Sequence, residues 1–240
     1  MSSLTRPRLI SLEGNIGAGK STFIETLKQK YKDCNQVLFL QEPVDVWESV
    51  KQNGKNMLEL YYSNPDKYAF AFQIMAHTTR LQLIRKAVDD VITNKPQIKT
   101  IIMERSLEAD REIFAKMLYD DGVLQHTEYQ IYCMMSNNGL QDFSMDGIIW
   151  LTTDADECSR RIKMRNRKGE ETIPLQYLKT CEIYHKQWLT ADSGFVFYIS
   201  DNIFTKNTNI RIDDVDEYSD EIIPPDEPIN WENFNHFLGI

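Results

Sequence analysis

Eight consecutive residues, Gly14-Asn15-Ile16-Gly17-Ala18-Gly19-Lys20-Ser21, fit the pattern GxxxxGK[ST] and continue into Thr22. In such a loop the glycines let backbone N–H groups curl around phosphate oxygens. The lysine reaches the outer phosphates, and the serine hydroxyl can hold Mg²⁺. The loop follows an apolar run, Leu9 to Leu12, and precedes an amphipathic helix that starts at about Lys20, the strand-to-helix setting this chemistry requires. Nucleotide binding is therefore expected. The reaction is left open, because GTPases, ATP-driven motors and small-molecule kinases share the loop. The sequence has no Asn-Lys-x-Asp for guanine, which weakens the GTPase reading.

Further charged groups stand at the ends of apolar runs. Glu42 follows the run Val37 to Leu40, at the carboxyl edge of a sheet, where ligands of open α/β folds bind. A carboxylate there can act as a general base; the plain alternative is a surface glutamate before a turn. Ile101-Ile102-Met103-Glu104-Arg105-Ser106 ends in the same way. Glu104 can ligate Mg²⁺ with Ser21, and Arg105 can pin a phosphate or a reacting hydroxyl, unless the two pair with each other. A basic cluster, Arg160, Arg161, Lys163, Arg165, Arg167 and Lys168, sets six cations in nine residues, with Arg161 and Arg165 on one helical face. Such a run is either a solvated face or a lid that neutralises charge in phosphoryl transfer. Beside a polyphosphate site the lid is the better reading. Gln73, Ala76 and Arg80 fall at i, i+3 and i+7 on one helix face. Gln73 offers a donor and an acceptor, Trp47 and Phe114 offer flat apolar walls, and Asp110 can hold Arg80.

These groups need a frame that brings strand ends together. Leu9 to Leu12, Val37 to Leu40, Thr100 to Met103 and Ile148 to Leu151 are branched apolar runs with helical patterns between them, the signature of a parallel sheet of about five strands covered by helices on both faces. Asn209 to Asp213 is the candidate fifth strand. The longest helix is expected from about Asp66, after Asn64-Pro65, to about Thr93, before Lys95-Pro96. Trp231, Phe234 and Phe237 recur at roughly helical spacing near the end of the chain and suggest a docking helix.

Composition narrows the function. The chain has 240 residues and is 42% hydrophobic, enough to pack one or two domains without disulfides or metals. Acidic residues number 36 against 27 Lys plus Arg, which argues against nucleic acid as a partner. Nine of the acids follow Arg211, where there is no further Lys or Arg, so the body is neutral and the tail acidic. Cys34, Cys133, Cys158 and Cys181 lie far apart with no CxxC pair, which suits buried, reduced thiols rather than zinc. No run approaches 18 apolar residues, and Met1 to Arg8 is short and polar, so neither a membrane span nor a targeting peptide is expected and a cytoplasmic location is.

The ordered set GNIGAGKST, EPVDVW, MLELYY, AFAFQ, ERS followed by Asp110, and an arginine-rich lid ahead of IPLQYL resembles the deoxyribonucleoside kinases, closest to the deoxycytidine and deoxyguanosine branch. The resemblance covers about Arg8 to Leu189. It implies a P-loop kinase domain over residues 1–212, with a lid at about 161–173 and an acidic tail over 213–240. It also implies transfer of the γ-phosphoryl group of ATP, with Mg²⁺, to the 5′-hydroxyl of a deoxyribonucleoside, and a homodimer. By matching position, Glu42 takes the hydroxyl proton and Arg105 orients that end, while Lys20 serves the phosphates. Ser21 and Glu104 serve the metal, and Arg161, Arg165 and Arg167 contact the transferring phosphoryl. Tyr62 and Glu170 read the sugar 3′-hydroxyl, and Trp47, Gln73, Ala76, Arg80, Asp110 and Phe114 line the base site. A loop at about Asp213 to Tyr218 would close over adenine. Two other readings remain: a thymidylate-type monophosphate kinase, which shares the fold but needs a cation near the acceptor phosphate, and a non-catalytic accessory subunit.

Overall fold

A computed structural model of the chain describes residues 6–191, 196–200 and 231–240. Five strands form one sheet: β1 (Arg8–Glu13), β2 (Val37–Leu40), β5 (Thr100–Glu104), β6 (Gly147–Thr152) and β7 (Val196–Ser200). Their order is β2-β5-β1-β6-β7 and every neighbouring pair is parallel. Leu9, Ile10 and Leu12 are fully buried because both faces of the central strand are covered, which is why such strands read as unbroken apolar runs. The two short strands β3 (Lys51–Gln52) and β4 (Lys55–Asn56) make a small separate hairpin.

The helices supply the cover. Helix α1 (Lys20–Lys30) starts directly from the glycine loop and packs Phe23, Ile24 and Leu27 against the sheet. Helices α2 (Val44–Ser49) and α3 (Met57–Ser63) follow β2, and α3 is fixed by a reciprocal cap between Asn56 and Glu59. Helix α4 (Pro65–Asn94) has 30 residues, about 45 Å at the usual rise, with proline at its first turn and its end just ahead of Lys95-Pro96. After β5 a short turn of helix, α5 (Leu107–Ala109), runs into a π-helical segment at Asp110–Ala115 and then α6 (Lys116–Asp120). Helix α7 (His126–Asp142) packs on α4. Helix α8 (Ala155–Arg165) leads through a 3₁₀ turn, Glu170–Thr172, to α9 (Leu175–Ala191).

The last helix, α10 (Trp231–Leu238), buries Phe234, Phe237 and Leu238 against Phe197 and the sheet core, as the aromatic spacing near the chain end suggested. Its carbonyls tie down the starts of two strands: Arg8 Nη1 donates to the Phe237 oxygen at 2.5 Å, and Thr100 Oγ1 to that of Leu238 at 2.5 Å. This is the amino edge of the sheet, opposite the phosphate loop.

The fifth described strand is Val196–Ser200, a short apolar run that periodicity alone does not separate from buried helix. The expected strand at 209–213 and the loop at 213–218 lie outside the described residues. Of the four free thiols, Cys158 and Cys181 are buried, whereas Cys34, in the connection between α1 and β2, and Cys133, on α7, are half-buried at the edges of the core clusters.

Candidate active site

The ends of β1, β2 and β5 converge on a cavity of ≈ 270 Å³ closed from above by the end of α8 and the 3₁₀ turn. Its back wall is the phosphate loop. Gly14, Gly17 and Gly19 all have positive φ, and at Gly17 (φ 83°) a Cβ would stand 2.6 Å from the Cys158 carbonyl oxygen on α8. Only glycine permits both that backbone and that approach. Asn15 braces the loop, its Nδ2 donating to the Leu178 oxygen at 2.8 Å while its Oδ1 accepts from the Ile16 amide. Lys20 Nζ donates to the Gly14 and Asn15 oxygens at 3.1 and 2.8 Å. Burial, helped by the nearby Arg105 cation, pulls the lysine down to about 8 against the opposing pull of Glu104 and Glu42.

Ser21 Oγ donates to Glu104 Oε1 at 2.8 Å, so the hydroxyl and the carboxylate at the end of β5 form one oxygen cluster beside Lys20. One carboxylate plus a hydroxyl is the oxygen donor set with which Mg²⁺ binds when phosphates complete its shell, and the described residues hold no larger His, Cys, Asp and Glu cluster for a metal.

Glu42, at the end of β2, is gripped by two guanidinium groups. Arg80 Nη2 donates to Oε1 at 3.0 Å, and Arg105 Nε lies 3.1 Å from the same oxygen. Burial works against its charge, but Arg105, Arg80 and Lys20 together hold the carboxyl below the usual carboxylate range. Arg105 thus pairs with Glu42 rather than with its neighbour Glu104. It does so from a left-handed backbone, φ 64°, a conformation expensive for a non-glycine residue and concentrated at functional sites, and its guanidinium lies 4.6 Å over the Phe114 ring.

Arg80 reaches from α4 across the floor. Its Nε and Nη2 form a fork to the two oxygens of Asp110 at 3.0 and 3.2 Å, and its Nη1 donates to the Glu104 carbonyl at 2.8 Å. Asp110 and Phe114, four residues apart in the π-helical segment Asp110–Ala115, both face the cavity, and such segments are frequent at functional sites. Ala76 and Gln73 line the same wall one and two turns earlier on α4. Trp47 closes the side, its Nε1 donating to Thr79 Oγ1 at 2.9 Å.

Under the lid, Glu170 is almost fully buried and accepts from Arg165 and, at 3.0 Å, from Arg167. Burial raises the Tyr62 phenol well above its ordinary value, so it is a neutral hydroxyl beside Glu170. Arg161 does not line the cavity; its Nη1 donates to the Ala18 oxygen at 3.2 Å and its Nε to Glu157. Gly14, Asn15, Ala18, Gly19 and Thr22 shape the loop and the start of α1 from behind, while Ile16 and Gly17 face inward. The sequence reading missed Tyr61, Phe72 and Tyr177, which also line the cavity. Tyr61 stacks on Phe72 with centroids 4.6 Å apart and meets Tyr177 hydroxyl to hydroxyl at 3.1 Å. Their signal was available, since they fall inside the MLELYY, AFAFQ and IPLQYL stretches, but aromatic residues at helical spacing read first as core.

A parallel five-stranded α/β sheet carrying a phosphate loop, with a carboxylate and two arginines at the adjoining strand ends, defines a P-loop phosphotransferase. A family model described as deoxynucleoside kinase matches residues 10–223, and the chain belongs to that family. It is 34% identical over 225 residues to the deoxycytidine kinase of Homo sapiens, covering 85% of each chain. It is 33% identical over 233 residues to that of Rattus norvegicus, covering 89% of this chain and 88% of the other. To the mitochondrial deoxyguanosine kinase of Xenopus laevis it is 31% identical over 204 residues, with 79% and 76% covered. The protein is a deoxyribonucleoside kinase that takes small-molecule nucleoside and nucleotide substrates, the latter a nucleoside triphosphate donor. Among the described residues no helix is long and apolar enough to cross a membrane.

Proposed function

We propose that the enzyme moves the γ-phosphoryl group of ATP to the 5′-hydroxyl of deoxycytidine or a purine deoxyribonucleoside in preference to thymidine, with Glu42 as general base. The observation that carries this reading is the Glu42 carboxylate, kept ionised by Arg80 and Arg105 in the floor of the cavity beside Lys20. A hydroxyl set against it loses its proton to Glu42 as its oxygen attacks the γ-phosphorus and the bond to the bridging oxygen breaks. Lys20 and the loop amides take up charge on the departing diphosphate, and Arg105 holds the acceptor oxygen in line. Ser21 and Glu104 would hold Mg²⁺, which neutralises phosphate charge. Arg165 and Arg167 serve the transferring group from the lid, Arg161 fixes the loop beside them, and Tyr62 and Glu170 bind the 3′-hydroxyl. A phosphate-bearing acceptor would be repelled by Glu42, which disfavours a monophosphate kinase. A non-catalytic role has no need for the whole set of Lys20, Ser21, Glu42, Glu104 and Arg105.

The base preference rests on Asp110. Its carboxylate, fixed by Arg80, accepts from an exocyclic amine but opposes the thymine carbonyl, leaving buried acceptors unpaired at about 1 to 3 kcal/mol. Relatives named deoxycytidine and deoxyguanosine kinases support the same choice. Homodimerisation belongs to this reading, supported by Ile131 and Met134, which stand exposed one turn apart on α7; so does a cytoplasmic location, which free thiols suit. On this reading residues 1–212 form the kinase domain and 213–240 an acidic extension whose last helix, α10, docks into the domain core. Assays with ATP against the four deoxyribonucleosides test the proposal, together with the pair Arg80→Met and Asp110→Ala. The double variant should raise thymidine use relative to deoxycytidine, and each single variant should be worse than the double, because each strands one buried charge. A parent enzyme that prefers thymidine would sink the base assignment.

A further inference from the structure

Behind Asp110, on the side away from the cavity, lies a buried polar cluster that the reaction does not use. His77, on α4 one residue after Ala76, is 0% exposed and its Nδ1 is 4.0 Å from Asp110 Oδ2. Neither ring nitrogen finds a hydrogen-bond partner among the described residues, and neither does the hydroxyl of Tyr132, also 0% exposed, whose ring meets the imidazole edge-on at 5.8 Å. Buried polar atoms are rarely left unpaired without a purpose. Gly139 on α7 leaves room here, since a Cβ at that position would stand 3.3 Å from His77 Nε2. Burial lowers the basicity of His77, with Asp110 pulling the other way, so the ring is a neutral imidazole with a single N–H to give.

A carboxylate has about four lone-pair positions. The Arg80 fork uses one on each Asp110 oxygen, and on the reading above a base amine takes a third. The fourth faces His77 at a distance about 1 Å beyond hydrogen-bond reach, so a small rotation of either group closes the contact. We propose that His77 is a positioning residue for base selectivity, donating from Nδ1 to Asp110 and fixing that carboxylate once the base amine engages it. Tyr132 holds the ring edge-on and so sets which nitrogen faces Asp110. The inference rests on Asp110 as the base reader.

The test uses the full chain with ATP and Mg²⁺, measuring kcat and KM separately for deoxycytidine and thymidine. His77→Leu keeps the shape and removes the donor; the ratio of kcat/KM for deoxycytidine over thymidine should fall about tenfold, mainly through KM for deoxycytidine. His77→Asn sets an amide nitrogen where Nδ1 stands and should hold the ratio within about threefold of the parent, whereas His77→Gln sets it one atom too far and should lose the ratio as Leu does. An unchanged ratio in His77→Leu overturns the proposal. If that variant does not fold, the Asn and Gln pair decides, and equal ratios for the two overturn it. A parent enzyme that prefers thymidine would defeat the base assignment of Asp110 and the role of His77 with it; a parent that prefers deoxycytidine with variants that do not move the ratio would defeat the role of His77 alone.

Discussion

Glu42 illustrates how a residue acquires its chemistry from its partners. Alone at the end of a strand it is an ordinary glutamate; between Arg80 and Arg105 it is held ionised in a half-closed site. Glu42→Gln should therefore lower kcat by roughly 10²- to 10⁴-fold with little change in nucleoside KM; steady-state kinetics that show near-normal kcat would exclude it as the base. Lys20 gives a second prediction, on pH. In the nucleotide-free enzyme it titrates at about 8, pulled down by burial and Arg105, and bound phosphates favour its charged form. Below that pH the ammonium is present with or without nucleotide, so binding takes up no proton. Between about 8 and the ordinary lysine value of about 10.4, binding should take up close to one proton and weaken as pH rises. Calorimetry in buffers of different ionisation heat at pH 7 and pH 9 checks this, and no uptake at pH 9 would contradict it.

At the scale of elements, the lid is positioned by a backbone approach as much as by its charges. Gly169 has φ 92°, and a Cβ there would stand 2.9 Å from the Glu59 amide nitrogen at the start of α3. That close seat lets the following 3₁₀ turn bury Glu170 beside Arg165, Arg167 and Tyr62. Gly169→Ala should lift the turn, raise nucleoside KM by about tenfold and leave the melting temperature within a few degrees. An unchanged KM would show that the seat does not set the geometry of Glu170. The π-helical segment is the other element that the site depends on, because it carries both Asp110 and Phe114 on the cavity wall.

For the whole molecule, the chemistry sits at the carboxyl edge of the sheet and the last helix closes the amino edge. Helix α10 lies beyond the family match at residue 223, yet Phe234 and Leu238 are completely buried in the same core as β1 and β6. Each such side chain contributes about 1.5 to 3 kcal/mol, a large share of the 5 to 15 kcal/mol typical of a domain. Truncation after residue 230 should therefore lower the melting temperature sharply while the remaining folded enzyme keeps its KM for ATP within about twofold. A large rise in that KM at unchanged folded fraction would instead tie the tail to the nucleotide site.

The sequence by itself determined the parts that depend on local geometry. The glycine loop, the strand ends carrying Glu42 and Glu104, the bounds of α4 and the aromatic spacing of α10 all follow from backbone requirements over a few neighbouring residues, and they stand where the periodicity puts them. The fit of Gln73, Ala76 and Arg80 to one cavity wall was legible for the same reason. Tertiary structure decided what lies between distant segments: that β7 is Val196–Ser200, that Arg105 turns to Glu42 rather than Glu104, that Glu170 is shared by two lid arginines, and that Tyr61, Phe72 and Tyr177 leave the core pattern to line the cavity. It also decided that His77 stands behind Asp110, since a histidine and an aspartate 33 residues apart meet only when α4 and the segment after β5 are packed together. Pairing across such distances is set by side-chain packing and charge, which act through space and leave no period in the chain.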